Sequence, residues 1–159
     1  MVPLVSMDNF SNKTTLKDLF KYIGIPFVDK GDSFDGIDCW HLIKLFYKNE
    51  LGIELNDYYI SALDTESINK ALTDEKEKSK QNLNEWIEID KPEPYCLVLI
   101  NLMNDKNIFC DHIGVCIDNT YFLHAYAKTG SCLGRFSRWK SHIKGFYKLN
   151  RSWYDLKER

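Results

Sequence analysis

Apolar positions recur at helical spacing in two early stretches of the chain, then in short continuous runs in its second half. Leu16, Leu19, Phe20 and Ile23 form the first helical pattern, with Thr14 or Thr15 as its cap and Gly24-Ile25-Pro26 as its end. The stretch 27–36, rich in aspartate and glycine, reads as a loop. A second helix is predicted to begin near Asp35 to Asp38, either of which can cap it. Its buried stripe would be Cys39, Leu42, Ile43 and Phe46, widened by Leu45, with Lys44 and Lys48 facing water and Asn49-Glu50-Leu51-Gly52 closing it. Residues 57–91 read as a charged helical insertion, a surface helix pair with a thin stripe of Ile68, Ala71 and Leu72. Lys91-Pro92-Glu93-Pro94 then breaks the chain. Strands are predicted at 95–100, 112–117 and 121–126, the last two joined at Asp118-Asn119-Thr120, with a final strand near 144–149. The pattern is that of an α+β fold in a single domain, 1–159, with one main helix on an antiparallel sheet.

Composition narrows the classes. At 159 residues, 44% hydrophobic and 14% aromatic, the chain can bury one core. A net charge of −2 gives no basic surface for nucleic acid, and no apolar run reaches the ~20 residues that cross a bilayer. The start, Met1 to Asp8, lacks the basic and apolar regions of a signal peptide, so none is expected. Five cysteines without paired spacing argue against a disulfide framework and for folding in a reducing cytoplasm.

Candidate chemistry centres on Cys39, in Gly36-Ile37-Asp38-Cys39-Trp40, with His112 and His124 far downstream. A thiol in the first turn of a helix is favoured as thiolate by the dipole and the free N–H groups. A neighbouring histidine can move its proton, and a second polar group can orient that histidine. Strand register tests whether the histidines can meet. A three-residue loop at 118–120 pairs Ile117 with Tyr121 and Gly114 with His124, which places His112 and His124 diagonally on one face. A two-residue loop would separate them. Gly114, lacking a side chain, is expected to let the Cys39 helix approach that same face. His41, two residues beyond Cys39 in the helix, points roughly 200° around the axis and is a poor base for it.

Taken singly, Cys96, Cys110, Cys116, Cys132 and His142 read as ordinary packed residues. Cys110, His112 and Cys116, with Cys132 or His124, contain zinc-ligand chemistry, but their spacing matches no knuckle, so no metal or other cofactor is expected.

These residues resemble the NlpC-type peptidoglycan peptidases, papain-like cysteine enzymes, and within them the branch of phage tails. The resemblance rests on Ile23 to Val28, Gly36-Ile37-Asp38-Cys39-Trp40 and its helix, Leu51 to Leu55, His112-Ile113-Gly114-Val115, Phe122-Leu123-His124-Ala125, and Phe136-Ser137-Arg138-Trp139 with Ile143 to Tyr147. It implies Cys39 as nucleophile, His112 as base and His124 as its orienting partner, with Phe27, Asp38 and Trp40 lining the substrate cleft. The implied substrate is the peptide stem of peptidoglycan, cut between D-γ-glutamate and a diamino acid. The implied setting is a virion tail, with other tail proteins as partners; a tail-tip assembly component with a vestigial triad is the alternative. Three positions depart from the family pattern: Phe27 stands where a tyrosine is usual, Trp40 and His41 where small residues follow the cysteine, and Pro92-Glu93-Pro94-Tyr95 where Pro-Gly-Asp precedes the first core strand.

Overall fold

A computed structural model of the protein describes residues 16–79 and 85–151. The capping threonines expected at 14 and 15 lie outside this range. The first described helix, α1, Leu16–Leu19, tightens into a 3-10 turn, Phe20–Tyr22. Its buried face is Leu19 and Tyr22, whereas Phe20, expected in the stripe, is 60% exposed.

A two-residue hairpin, β1 (Asp32–Ser33) and β2 (Gly36–Ile37), leads directly into α2, Cys39–Leu51. Asp38 has extended dihedrals and accepts a hydrogen bond from the His41 N–H at 2.9 Å, so it is the N-cap that starts the helix one residue before Cys39. Gly52 at φ 67° supplies the left-handed C-cap. Leu42, Ile43, Phe46 and Tyr47 are fully buried, and truncating one of these aliphatic residues to alanine costs about 2–5 kcal/mol.

Among the described residues the main sheet has six strands, all antiparallel, lying side by side in the order Trp86–Ile89, Ile143–Leu149, Leu97–Ile100, His112–Cys116, Tyr121–Tyr126, Gly130–Arg135. They are β3 Trp86–Ile89, β4 Leu97–Ile100, β5 His112–Cys116, β6 Tyr121–Tyr126, β7 Gly130–Arg135 and β8 Ile143–Leu149. A short α4, Phe136–Trp139, joins β7 to β8. The charged segment differs from the helix pair expected for 57–91. Its one described helix is α3, Thr65–Ser79, begun by Asp64, which accepts from Ser67. Trp86–Ile89 pairs with β8 as an edge strand, with Trp86 buried and Glu88, two residues on along the same face, exposed.

Both faces of the sheet are covered. Helix α2 packs on the face of Ile113, Val115, Leu123 and Ala125, within the larger core. The opposite face carries Val98, Ile100, Cys116 and Phe122, closed by Phe136, Trp139 and Phe146. This corrects the expectation that α2 would settle on the histidine face beside Gly114. A Cβ at Gly114 would meet the Leu123 carbonyl oxygen and the Phe122 ring, both at 3.0 Å, so the space is filled by the sheet's own neighbours.

Candidate active site

The loop that precedes Cys39 is stitched to the sheet and to the helix start. Ser131 N–H donates to the Ile25 carbonyl at 2.9 Å, and Ile25 N–H donates to Ser131 Oγ at 2.8 Å. Val28 N–H reaches the Ile37 carbonyl, and Ile37 N–H reaches that of Pro26. Phe27 is thereby fixed beside the strand that feeds into Cys39.

Cys39, His112 and Phe27 line one cleft of about 580 Å³, together with Tyr126, Arg138 and Trp139. Cys39 arrives from the α2 face and His112 from the first position of β5. The N–H groups of Trp40, Cys39 and Ile113 are directed at the sulfur. They do not win the balance: burial first, then the Asp38 carboxylate, push the thiol up to about 12. The resting sulfur is therefore a neutral thiol, where helix-start position alone predicts a thiolate.

The register of β5 and β6 is the one derived from the three-residue loop. Val115 faces Leu123 and Cys116 faces Phe122, and Ile117 N–H bonds to the Tyr121 carbonyl at 2.9 Å. Nε2 of His112 lies 2.9 Å from Nδ1 of His124. His124 stacks on Tyr126 at 5.2 Å and meets Phe122 and Trp139 edge-on or tilted at 4.8 and 5.1 Å. That aromatic wall removes water. Burial lowers His124 to about 4, and burial with the neighbouring His124 holds His112 well below the usual histidine value. Two neutral imidazoles thus sit in series, with Nδ1 of His112 unclaimed by His124 and available to a proton from the cleft.

Asp38 and Trp40 do not line that cleft but border a second space, which Cys39 also lines. The Asp38 carboxylate receives the N–H groups of His41 and Lys30, both at 2.9 Å, and bonds His41 Nδ1 at 2.8 Å. Trp40 donates Nε1–H to the Asn56 carbonyl at 2.8 Å and, with Asp38 and Cys39, lines a second, mainly apolar chamber of about 260 Å³ beneath α3.

Sequence reasoning missed the other half of the Asp38 contact. His41 Nε2 bonds Asp57 at 2.7 Å, so the ring is held between two carboxylates. The Asp38 hydrogen bond chiefly, then that of Asp57, raises His41 to about 9 against the opposing pull of burial. Asp57 is lowered: partial burial would raise it, but the Tyr59 N–H and His41 outweigh that. The charged segment is tied down here and again at Asp29, which accepts from Ser61 Oγ and Ala62 N–H, both at 2.7 Å.

The candidate metal ligands do not converge. Cys110 belongs to the core under α2 and Cys116 to the opposite one. Among the described residues no group of three His, Cys, Asp or Glu side chains could hold a metal ion.

The sequence profile described as the NlpC/P60 family matches residues 24–146. No curated protein sequence matches the chain. Among solved structures, the NlpC/p60 domain of the peptidoglycan hydrolase SagA aligns with a TM-score of 0.56 at 13% identity, over 91% of this chain and all of that one. An NlpC/P60 family protein of Bacillus cereus ATCC 10987 aligns at 0.58 and 17% identity, over 93% of this chain and 41% of its own. A Staphylococcus aureus Mu50 protein described as similar to lipoprotein, NLP/P60 family, aligns at 0.53 and 19% identity, over 90% and 41%. The chain thus spans under half the length of the latter two, and at such identities the likeness is one of fold.

Proposed function

The chain belongs to the NlpC/P60 family, and from that premise we propose that it is a cysteine peptidase that cuts the peptide stems of peptidoglycan. The observation that carries this reading is the cleft itself, where the Cys39 thiol and a neutral His112, backed by His124, line one space. Nδ1 of His112 takes the thiol proton as the sulfur attacks the amide carbonyl carbon. The backbone N–H of Cys39, with one further donor nearby, would hold the developing oxyanion. The imidazolium then returns its proton to the leaving amine nitrogen, giving a thioester. A water, deprotonated by the same Nδ1, attacks the thioester and releases a carboxylic acid and the thiol. Because sulfur and imidazole both rest neutral, the proton moves during attack and no standing ion pair is required.

The bond proposed is that between D-γ-glutamate and a diamino acid, and the proposed setting is a phage tail that opens the wall for genome delivery. The support for both is the motif resemblance at Gly36 to Trp40, His112 to Val115, Phe122 to Ala125 and Phe136 to Trp139. A second reading, a tail component that keeps the fold without turnover, draws on the raised thiol and on Phe27 in place of a hydroxyl donor.

Mass spectrometry of fragments released from diaminopimelate-type sacculi separates the two. Stem fragments cut between glutamate and the diamino acid should appear with the wild type and not with Cys39→Ala. No release by the wild type, beside a working control hydrolase, would leave the structural reading in place.

A further inference from the structure

The hydrogen bonds continue past His124, and each link fixes the direction of the next. Thr129 has one hydroxyl proton, and Oγ1 donates it to the Gly130 carbonyl oxygen at 2.9 Å. The same Oγ1 lies 3.5 Å from Sγ of Cys132. Either atom could donate across this contact; with the hydroxyl proton given to Gly130, the donor is taken to be the Cys132 S–H. Its sulfur then turns lone pairs toward Nε2 of His124, also 3.5 Å away. Cys132 is held there by direct cross-strand pairing with His124 between β6 and β7.

Each neutral imidazole carries one proton, so the direction propagates. A proton on Nε2 of His124 leaves its Nδ1 as an acceptor. The 2.9 Å contact between the rings must then be filled by Nε2–H of His112. That leaves Nδ1 of His112 bare. The opposite order of protons would put a hydrogen on Nδ1 of His112 and close it as a base.

We infer that Thr129 and Cys132 form a positioning pair that sets the tautomers of the His112–His124 dyad, keeping Nδ1 of His112 free to accept a proton. The tautomers follow from the hydrogen bonds alone; their consequence for turnover rests on the peptidase reading above. A sulfur suits the place because it accepts weakly from an imidazole N–H and gives its own proton elsewhere. Removing the Thr129 hydroxyl releases that proton to turn back on His124 Nε2. The second tautomer order then becomes available.

The test is long-range proton–nitrogen NMR on the full chain with nitrogen-15 histidine, which reads which ring nitrogen bears hydrogen. In the wild type, both His112 and His124 are expected as Nε2–H tautomers. Thr129→Val, at an exposed side chain, is expected to populate Nδ1–H on both rings, and Cys132→Ala to do the same. Cys132→Ser, which keeps a donor and an acceptor, is expected to hold the wild-type pattern. If the peptidase reading also stands, kcat falls roughly tenfold or more in Thr129→Val and Cys132→Ala while KM holds, and Cys132→Ser recovers it. Nδ1–H on His112 in the wild type would overturn the inference. So would wild-type tautomers in both Thr129→Val and Cys132→Ala. The spectra answer this even if no sacculus is cut, so failure of the function and failure of the relay are told apart.

Discussion

His41 and the His112–His124 pair are two ways of burying imidazole in one small protein, and they differ in a single ingredient. His41 lies between the carboxylates of Asp38 and Asp57 and is raised to about 9. His112 and His124 lie against each other and against aromatic rings, and burial holds both below the ordinary histidine value. Among the described residues, no carboxylate bonds either ring. Paired acids make the first imidazole a charged tie between the start of α2 and the segment ahead of α3. Their absence leaves the second pair neutral, which is the state that can accept a proton. The two sites flank the same cysteine: the charged ring ties down the helix start at Cys39, and the neutral pair is the one to which the proposed function gives the thiol proton.

The comparison breaks most severely if function follows the wrong histidine. Cys39→Ala and His112→Ala are expected to lower hydrolysis of stem peptides by about 10³-fold or more, whereas His41→Gln should stay within about tenfold of wild type. Initial rates on purified sacculi decide this. A His41 variant as inactive as His112→Ala would assign the base to the other ring.

Stability should show the reverse order. Asp38→Ala removes a helix cap and strips a buried imidazolium of its main partner, an expected loss of about 3 kcal/mol. Asp57→Ala, at the more open end of the same ring, should cost about 1 kcal/mol. Urea unfolding at neutral pH measures both.

Next comes the pH dependence, where the two sites act with opposite sign. His41 is raised in the folded state, so its contribution is complete below the ordinary value of 6.5 and is lost as pH climbs through about 9. His124 is lowered to about 4, so the unfolded chain binds its proton first and stability falls as pH drops from 6.5 toward 4. His41→Gln should flatten the alkaline limb and leave the acid limb unchanged in unfolding curves taken across that range.

A further expected effect probes the aromatic wall. A Cβ at Gly134 would stand 2.3 Å from Cζ of Phe122, whose ring packs 4.8 Å from that of His124. Gly134→Ala should cost about 1–2 kcal/mol as Phe122 shifts. It should also raise the pKa of His124 as water gains access, seen in its NMR titration.

Local rules made much of this legible in the sequence. Asp38 as cap, the stripe of α2, and the register that brings His112 to His124 all depend on residues within a few positions of one another or on a loop length. Which face α2 covers was not legible, because both faces of β5 and β6 are apolar enough to be buried. The aromatic set that claims the histidine face comes from α4 and β8, distant in sequence. Trp86–Ile89 was hidden inside a charged run whose overall composition masks three apolar residues around Glu88. Asp57 meets His41 only because residues 52–57 turn back along α2, a path that no pattern in those residues announces. Cys132 reads as a small core residue until β7, bounded by glycine, is seen beside β6.

The most direct test of this division is a single histidine-resolved NMR titration of the wild-type chain between pH 4 and 10. The account predicts that His41 remains protonated until about 9, while His112 and His124 stay neutral through the whole range in which an ordinary histidine titrates. His112 gaining its proton at or above 6.5, or His41 losing its proton there, would contradict it.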